Sequence, residues 1–307
     1  MSAITEDRRP STVIASPPKR RRRSDHTYLF MALPAVILFF VFHTYPAIQG
    51  IIYSFTNFRG YGDYDFVGLR NYLQVFQDER ALAAYRFTFL FAILSTVLVN
   101  FIALTIAIGL NSNIRFRNFL RGIYFLPNIL SVLIVGFIFN YLFANFMPRI
   151  GEALGVAALS RNILGDPQLA WVGIIFVAVW QAAAFNIILY LAGLQTIPYD
   201  LYESADIDGA GPWQKFRNIT FPMIAPFFTI NMVLAMKGFL QVFDQIVALT
   251  GGGPGTSTES VSYLIYRGGF DGGQFAYQSA NAVLFFIVLV VISVAQTRFL
   301  QRREIEA

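Results

Sequence analysis

The stretch from Ile197 to Pro226 reads IPYDLYESADIDGAGPWQKFRNITFPMIAP, and it joins two long apolar runs of the chain. Asp200 followed three residues later by Glu203 is typical of a helix start. Gly209 stands where the end of a helix favours a left-handed residue. Together these signals predict a short, capped helix over residues 201–208.

A second helix is predicted directly after the first. Pro212 suits the first turn of a helix, and the residues that follow it include Lys215 and Arg217. Pro222 and Pro226 then fall at the start of the next apolar run. Two readings of this structured segment stay open on the physics alone. It can dock into the groove of a soluble partner, or it can lie among lipid headgroups as an ordinary interfacial helix.

The composition of the chain indicates which solvent surrounds the apolar runs. Hydrophobic residues make up 56% of the 307 residues and charged residues only 13%, whereas soluble domains have about 45–50% and about 25%. A soluble core of this length cannot bury so much apolar surface, so the bilayer is the expected environment. The chain has no cysteine and two isolated histidines, so we expect no disulfide, no thiol catalysis and no metal site.

Six segments are apolar over the roughly 20 residues that a membrane-spanning helix needs. Such runs cross as α-helices, because every backbone polar group must be paired within its own segment. The predicted fold class is therefore an all-α integral membrane protein with six crossings. The predicted spans are Leu29–Ile52, Phe87–Leu110, Phe119–Phe143, Leu169–Ala192, Met223–Leu249 and Ser279–Leu300.

The basic residues predict how these spans are oriented. Lys and Arg are about twice as frequent on the side that holds both termini as on the other side, which places both termini in the cytoplasm of a multi-pass cell-membrane protein. Residues 1–27, with the basic run Lys19–Arg23, are expected to form a disordered tail that binds anionic lipid. Residues 28–307 are expected to form the membrane domain. Nucleic acid is not an expected partner.

A longer pattern runs through the loop between the fourth and fifth spans. Residues 203–205 read Glu-Ser-Ala, Gly209 follows after three residues, Ile219 after nine more, and Phe-Pro at 221–222 closes the pattern. This pattern resembles the EAA motif of ABC importer permeases. It departs from that motif in its serine and in the phenylalanine before the proline, while the spacing is kept throughout.

Other stretches extend the resemblance to the maltose and multiple-sugar permeases, of the type that is first in a pair. These stretches are VGLRNYLQVF at 67–76, RGIYFLPNILS at 121–131 and FDQIVALTGGGP at 243–254. The resemblance implies a type I ABC importer permease fold whose loop 197–222 carries a cytoplasmic coupling helix for a separate ATPase. The residues it assigns to coupling are Glu203, Ser204, Ala205, Asp206, Asp208 and Gly209.

The resemblance also implies partners. These are a second, similar permease that completes a heterodimer, a pair of ATPase subunits and an extracytoplasmic solute-binding protein. The residues agree, because a phosphate-binding loop requires Lys followed by Ser or Thr, and Lys19, Lys215 and Lys237 are each followed by another residue type. We therefore expect this chain to be no enzyme and to bind no cofactor, with ATP and Mg²⁺ held by the ATPase.

Polar side chains within the spans are the candidates for a substrate path, because ionisable groups at bilayer depth are costly and usually face a cavity or a partner. Helical spacing places Lys237, Gln241 and Asp244 on one face of a continuous fifth span. A structural contact with the second permease is the alternative role for these groups. The predicted path comprises Lys237, Gln241 and Asp244, the rings of Phe239 and Phe243, which can stack on a sugar, and Gln181 and Asn186 of the fourth span.

The expected function is import of a sugar, of di- or oligosaccharide size, by alternating access. A glycerol-phosphate or other polyol ester is the alternative within the class, and it is less favoured because Lys237 is the one cation at depth in the spans. An ion-coupled secondary carrier and a non-transporting membrane scaffold are rivals outside the class. The motif over residues 203–222 argues against both, and the sequence leaves the particular sugar open.

Overall fold

The computed structural model describes residues 26–112, 114–157 and 160–301. Within those ranges the regular structure is helical, apart from one isolated bridge between Thr56 and Phe66. The predicted disordered tail lies outside the described residues up to residue 25, and its last two residues, 26 and 27, are helical and not disordered. The chain divides into two compact units, residues 1–49 and 50–307, and the predicted domain boundary after residue 27 stays a prediction.

Helix numbers below follow the chain order, and π-helical turns are counted within the helix that contains them. The helices are α1 (residues 26–53), α2 (Arg70–Val75), α3 (Glu79–Asn111), α4 (Arg117–Ile129), α5 (Val132–Leu154), α6 (Ala170–Leu194), α7 (Tyr199–Ile207), α8 (Pro212–Met223), α9 (Ala225–Leu240), α10 (Asp244–Leu249), α11 (Val261–Tyr266) and α12 (Phe275–Gln301).

In the described part of the chain, α1, α3, α5, α6 and α12 are long and apolar enough to cross a membrane. A sixth crossing is obtained if α8 and α9, which are bent by 69° at their junction, form one broken span. The first, fourth and sixth predicted spans agree with α1, α6 and α12 within a few residues. The second begins eight residues too late, because the carboxylate of Asp78 accepts hydrogen bonds from the backbone N–H groups of Arg80 and Ala81 and so starts α3 at Glu79.

The third predicted span is wrong as a single helix. Its residues belong to α4 and α5, and Leu130 between them is extended, with φ −77° and ψ 139°. The break is stabilised from another helix, because the side-chain amide of Gln181 donates to the carbonyls of Pro127 and Leu130 at 3.4 and 3.1 Å. The hydropathy of a segment carries no information about hydrogen bonds to a neighbouring helix. The continuous apolar run therefore did not predict the break.

The fifth predicted span is also wrong as a single helix. Met223 belongs to α8, α9 ends at Leu240, and α10 starts only at Asp244, after Phe243 with φ −138° and ψ −61°. Lys237 and Gln241 are still joined by the last helical turn, since the N–H of Gln241 donates to the carbonyl of Lys237. Asp244 lies beyond the break, so the predicted stripe of three polar residues on one helical face is wrong.

The core of the second unit centres on α3 and α6. The hydroxyl of Tyr190, which is fully buried, donates to Oδ1 of Asn100 at 2.6 Å and links these two helices. Further along, α5 and α10 pack at backbone distance: a Cβ added to Gly136 would lie 2.4 Å from the Cβ of Ala248. The two helices that follow the breaks at Leu130 and Phe243, α5 and α10, therefore pack directly against each other.

The segment 53–86 packs as a small cap. The side-chain amide of Asn71 donates to the carbonyls of Ser54 and Thr56, both at 2.8 Å. Phe58 stacks on Tyr53 with ring centroids 4.4 Å apart, and its carbonyl accepts from the N–H of Ala276. These contacts tie the cap to the start of α12.

Candidate functional site

The helix α7 is the element that the loop sequence predicts, with one correction at its start. The predicted capping box of Asp200 and Glu203 is wrong, because α7 begins at Tyr199 and Pro198 precedes it without a side-chain cap. The proline ring fixes φ, here at −59°, and the carbonyl of Pro198 accepts from the N–H of Leu201 at 3.3 Å. Asp200 thus falls within the first turn, where a negative charge is still favourable.

The end of α7 agrees with its prediction. Gly209 has φ +73°, its N–H donates to the carbonyl of Asp206 at 3.1 Å, and the N–H of Ala210 donates to the carbonyl of Ala205 at 2.9 Å. This pair of bonds is the Schellman arrangement. A Cβ at Gly209 would meet nothing within 4 Å, so the position needs glycine for its backbone conformation and not for space.

Two side-chain contacts hold α7 against the segment that follows it. The ammonium of Lys215 forms an ion pair with the carboxylate of Asp206, and the hydroxyls of Tyr202 and Thr220 are 2.8 Å apart. Both contacts join α7 to the segment around α8. The helix is therefore held in place and does not hang from a flexible loop.

The predicted coupling residues differ in whether their side chains are already engaged within the chain or are exposed. Asp206 is engaged with Lys215, and the hydroxyl of Ser204 donates to the carbonyl of Asp200 at 2.9 Å within the helix. The carboxylates of Glu203 and Asp208 are exposed, while Ala205 is half-buried. Two of the predicted coupling carboxylates, Glu203 and Asp208, are therefore exposed outside the ion pair with Lys215.

Large apolar side chains are also exposed on α7 and at the start of α8. Tyr199 is 72% exposed, Ile207 is 87% exposed, and Trp213 at the start of α8 is 68% exposed. Apolar groups so fully exposed fit contact either with a protein partner or with lipid headgroups. Trp213 was not among the predicted coupling residues, although a tryptophan directly after Pro212 could have indicated it.

A cavity of about 440 Å³ lies where the break between α4 and α5 and the break between α9 and α10 face α6. Non-helical backbone within a membrane protein is tolerated where it lines a cavity, and broken helices commonly build substrate sites. The lining residues come from both sides of each break and from the middle of α6. They are Asn128, Leu130, Val132, Ala178, Gln181, Ala182, Phe185, Asn186, Leu234, Ala235, Gly238, Phe239, Val242 and Gln245.

Gln181 and Asn186 both line this cavity, although their spacing left open whether they face the same way. The Nε2 of Gln181 donates hydrogen bonds to the carbonyls at the α4–α5 break, whereas its Oε1 is buried and has no partner among the described residues. The Nδ2 of Asn186 donates to the carbonyl of Ala182 at 2.8 Å. Gln181 thus lines the cavity and also carries a buried acceptor that has no hydrogen-bond partner among the described residues.

The other predicted path residues divide into two groups. Phe239 lines the cavity and meets Phe91 edge-on at 5.9 Å. Phe243 packs instead against Tyr266 at 5.3 Å. The exposed side chains Lys237, Gln241 and Asp244 are not among the lining residues.

Among the lining residues that the sequence did not predict, three carry an amide or an aromatic ring: Asn128, Phe185 and Gln245. Asn128 and Gln245 lie within two of the stretches that carried the family resemblance, but their direction depends on the helix breaks. With Gln181 and Asn186 they place four amides beside the rings of Phe185 and Phe239. Amides both donate and accept hydrogen bonds, so this lining suits an uncharged ligand with many hydroxyls.

Residues 100–305 match the family of binding-protein-dependent transport system inner membrane components. This chain belongs to that family. This chain is 38% identical over 279 residues to the multiple sugar-binding transport system permease protein MsmF of Streptococcus mutans. The match covers 91% of this chain and 96% of the relative. The chain is 35% identical to the probable starch degradation products transport system permease protein AmyD of Thermoanaerobacterium thermosulfurigenes, with 91% and 95% covered.

The fold has a counterpart among solved structures. The chain superposes with a TM-score of 0.79 and 26% identity on a bacterial ABC transporter involved in the import of the acidic polysaccharide alginate, covering 91% of this chain and 96% of the other. The inner membrane component therefore has the type I ABC importer permease fold in a multi-pass membrane protein. The predicted fold class and family are confirmed.

Proposed function

We propose that this chain carries a sugar of di- or oligosaccharide size across the cell membrane, driven by ATP hydrolysis on a separate ATPase. The observation that carries the proposal is α7, a helix capped at Gly209, braced through Asp206 and Tyr202, and exposing Glu203 and Asp208. The similarity to permeases named for multiple sugars and starch products supports the substrate class.

The helix α7 acts as a mechanical contact in this proposal. The apolar side chains of Tyr199, Ile207 and Trp213 enter a cleft of the ATPase, and Glu203 and Asp208 meet basic or hydrogen-bonding groups there. ATP binding closes the ATPase pair and displaces α7. The contacts of α7 with Lys215 and Thr220 transmit this displacement to α8 and α9. The chain itself holds neither ATP nor Mg²⁺, and its loop 197–222 lies in the cytoplasm together with both termini.

The substrate passes between this chain and a second, similar permease, and an extracytoplasmic binding protein delivers it. Because the cavity at the helix breaks is lined by amides and aromatic rings, it supports a neutral sugar. A phosphate ester would need an arginine or lysine to offset its charge, and the cavity lining contains neither. Lys237, Gln241 and Asp244 are exposed on the chain alone, and a contact with the second permease accounts for them as well as a substrate path does.

The coupling role is tested by Glu203→Lys in the complete importer, reconstituted in vesicles with its binding protein. Reversing this exposed charge should abolish ATP-driven uptake while the protein inserts and assembles at normal levels. The matched control is Asp63→Lys, which reverses an exposed charge in the cap and should leave uptake close to wild type. Undiminished uptake by the Glu203 variant, or uptake driven by a proton or sodium gradient without ATP, would contradict the proposal.

The substrate class is tested separately. A thermal-shift screen of the binding protein against mono-, di- and oligosaccharides and against polyol phosphates should give its largest stabilisation with a neutral di- or oligosaccharide. The same compound should then be taken up by the reconstituted importer. A binding protein that responds only to phosphate esters would reject the sugar while leaving the coupling role standing.

A further inference from the structure

Two arginines at the start of α4 have guanidinium nitrogens without partners. The Nε of Arg117 and the Nε and Nη2 of Arg121 are shielded from solvent and make no hydrogen bond in the described part of the chain. The ion pairs found there join Arg80 to Glu259 and Lys215 to Asp206, so neither arginine is paired with a carboxylate. Two positive charges four residues apart on a helix repel each other, and a bound anion would offset that repulsion.

Arg121 also lines a second cavity, of about 410 Å³, between α4, α6 and the end of α3. Apart from Arg121, Tyr124 and Gln195, its lining is apolar: Leu110, Gly122, Phe125, Ala184, Ile187, Ile188, Leu191 and Ala192. Gln195 follows α6 directly and precedes the loop that carries α7. The cavity therefore lies at the same end of the chain as the coupling helix and joins a cationic group to an apolar groove.

The helix α4 has the surface of a helix at a membrane boundary. Phe119 is 67% exposed, Ile123 is 50% exposed and Leu126 is 57% exposed, on the same helix as the two arginines. A helix with exposed apolar residues and a basic start favours the headgroup region of a bilayer. Basic pockets between membrane helices on the cytoplasmic side bind anionic headgroups.

We propose that Arg117 and Arg121 bind the phosphodiester of an anionic phospholipid, with one acyl chain lying along the apolar cavity. The planar guanidinium fork matches two phosphate oxygens, which a lysine ammonium does not. A soluble phosphate would use the arginines but not the groove, and a carboxylate from a partner subunit would likewise leave the apolar lining unfilled. The groove and the charge together favour an amphiphile.

The test uses the assembled importer, extracted from vesicles of equal parts phosphatidylcholine and phosphatidylglycerol. The amount of phosphatidylglycerol retained per complex is measured by native mass spectrometry. Arg117→Gln and Arg121→Gln should each weaken retention about fivefold, the equivalent of about 1 kcal/mol per basic residue near anionic headgroups. Arg149→Gln removes an equal charge from an exposed position in α5 and should retain lipid like wild type. Arg121→Lys keeps the charge, so its lipid retention should lie between that of wild type and that of Arg121→Gln. This variant replaces Arg121→Gln in the test if the glutamine variant does not accumulate.

Competition separates the sources of the anion. Inorganic phosphate at saturating concentration should not displace phosphatidylglycerol, because it cannot fill the groove. Displacement by phosphate would show a soluble-anion site and overturn the proposal. Equal retention by the double variant and wild type would overturn it too, as would loss of the ATPase from the double variant with lipid retention intact, since that result assigns the arginines to a protein partner.

Discussion

Arg80 and Glu259 form a bidentate ion pair across 179 positions of the chain. The Nε of Arg80 donates to Oε2 of Glu259 and its Nη2 donates to Oε1, both at 2.8 Å. The side chain of Glu259 is 2% exposed, and that of Arg80 is 47% exposed. Close to this pair in sequence, the hydroxyl of Tyr277 donates to Asp78 at 2.7 Å. The start of α3 is thereby tied both to the turn that follows α10 and to α12.

Removing Arg80 would leave the buried carboxylate of Glu259 without its cation. We expect Arg80→Met to lower the free energy of unfolding by about 1–3 kcal/mol, less than for a fully buried pair because solvent screens the half-exposed arginine. Glu259→Gln added to it should recover part of the loss. Thermal unfolding of the detergent-purified importer measures both effects. Arg59→Met, at an exposed position, is the control, and equal melting of the Arg80 and Arg59 variants would refute the role of the pair.

The contact between Gly136 and Ala248 should not tolerate another methyl group. Since the added Cβ would lie 2.4 Å from that of Ala248, Gly136→Ala forces α5 and α10 apart and should cost about 1–3 kcal/mol. Ala248→Gly in the same chain should restore much of the stability. Gly109→Ala in α3, where nothing lies within 4 Å, should be neutral or stabilising by up to about 1 kcal/mol. Failure of the double variant to recover would show that the helices are not packed as described.

Gly209 and Gly155 offer a matched comparison of one backbone conformation in two places. Gly155 ends α5 with φ +68°, and its N–H donates to the carbonyl of Glu152 at 3.2 Å. Alanine at either position should cost about 1–2 kcal/mol, because a left-handed residue with a Cβ is strained. Only Gly209→Ala should reduce uptake per ATP hydrolysed, since only that strain falls on the coupling helix. Parallel measurements of uptake and hydrolysis in vesicles decide the matter, and equal coupling in the two variants would count against α7.

The cavity and the predicted polar stripe make different predictions for substrate affinity. Asn128→Leu and Gln245→Leu remove lining amides, and each should raise the KM of uptake about tenfold for a lost hydrogen bond of about 1–1.5 kcal/mol. Gln241→Leu and Lys237→Met remove polar groups that do not line the cavity and should change the KM by less than twofold. Basal ATP hydrolysis is the control for assembly. Larger KM changes in the Gln241 and Lys237 variants than in the Asn128 and Gln245 variants would assign the substrate path to the predicted polar stripe instead.

Local signals in the sequence predicted much of this fold. The apolar runs located α1, α3, α6 and α12, because burial in a bilayer is a property of composition over a segment. Gly209 and Pro212 were placed correctly, since a left-handed residue and a missing N–H restrict the backbone whatever surrounds them. Asp200 was misplaced because Pro198, two residues earlier, started the helix first.

The sequence thus determined that the chain crosses a membrane, which residues form the polar loop with its short helix, and which family the chain resembles. Only the tertiary structure decided where the third and fifth spans break, and with them which side chains line the cavity. The reason is physical: a break inside an apolar run is stable only if residues elsewhere in the fold satisfy its free carbonyls, as Gln181 does at Leu130. Those partners are distant in sequence, so no local pattern specifies them.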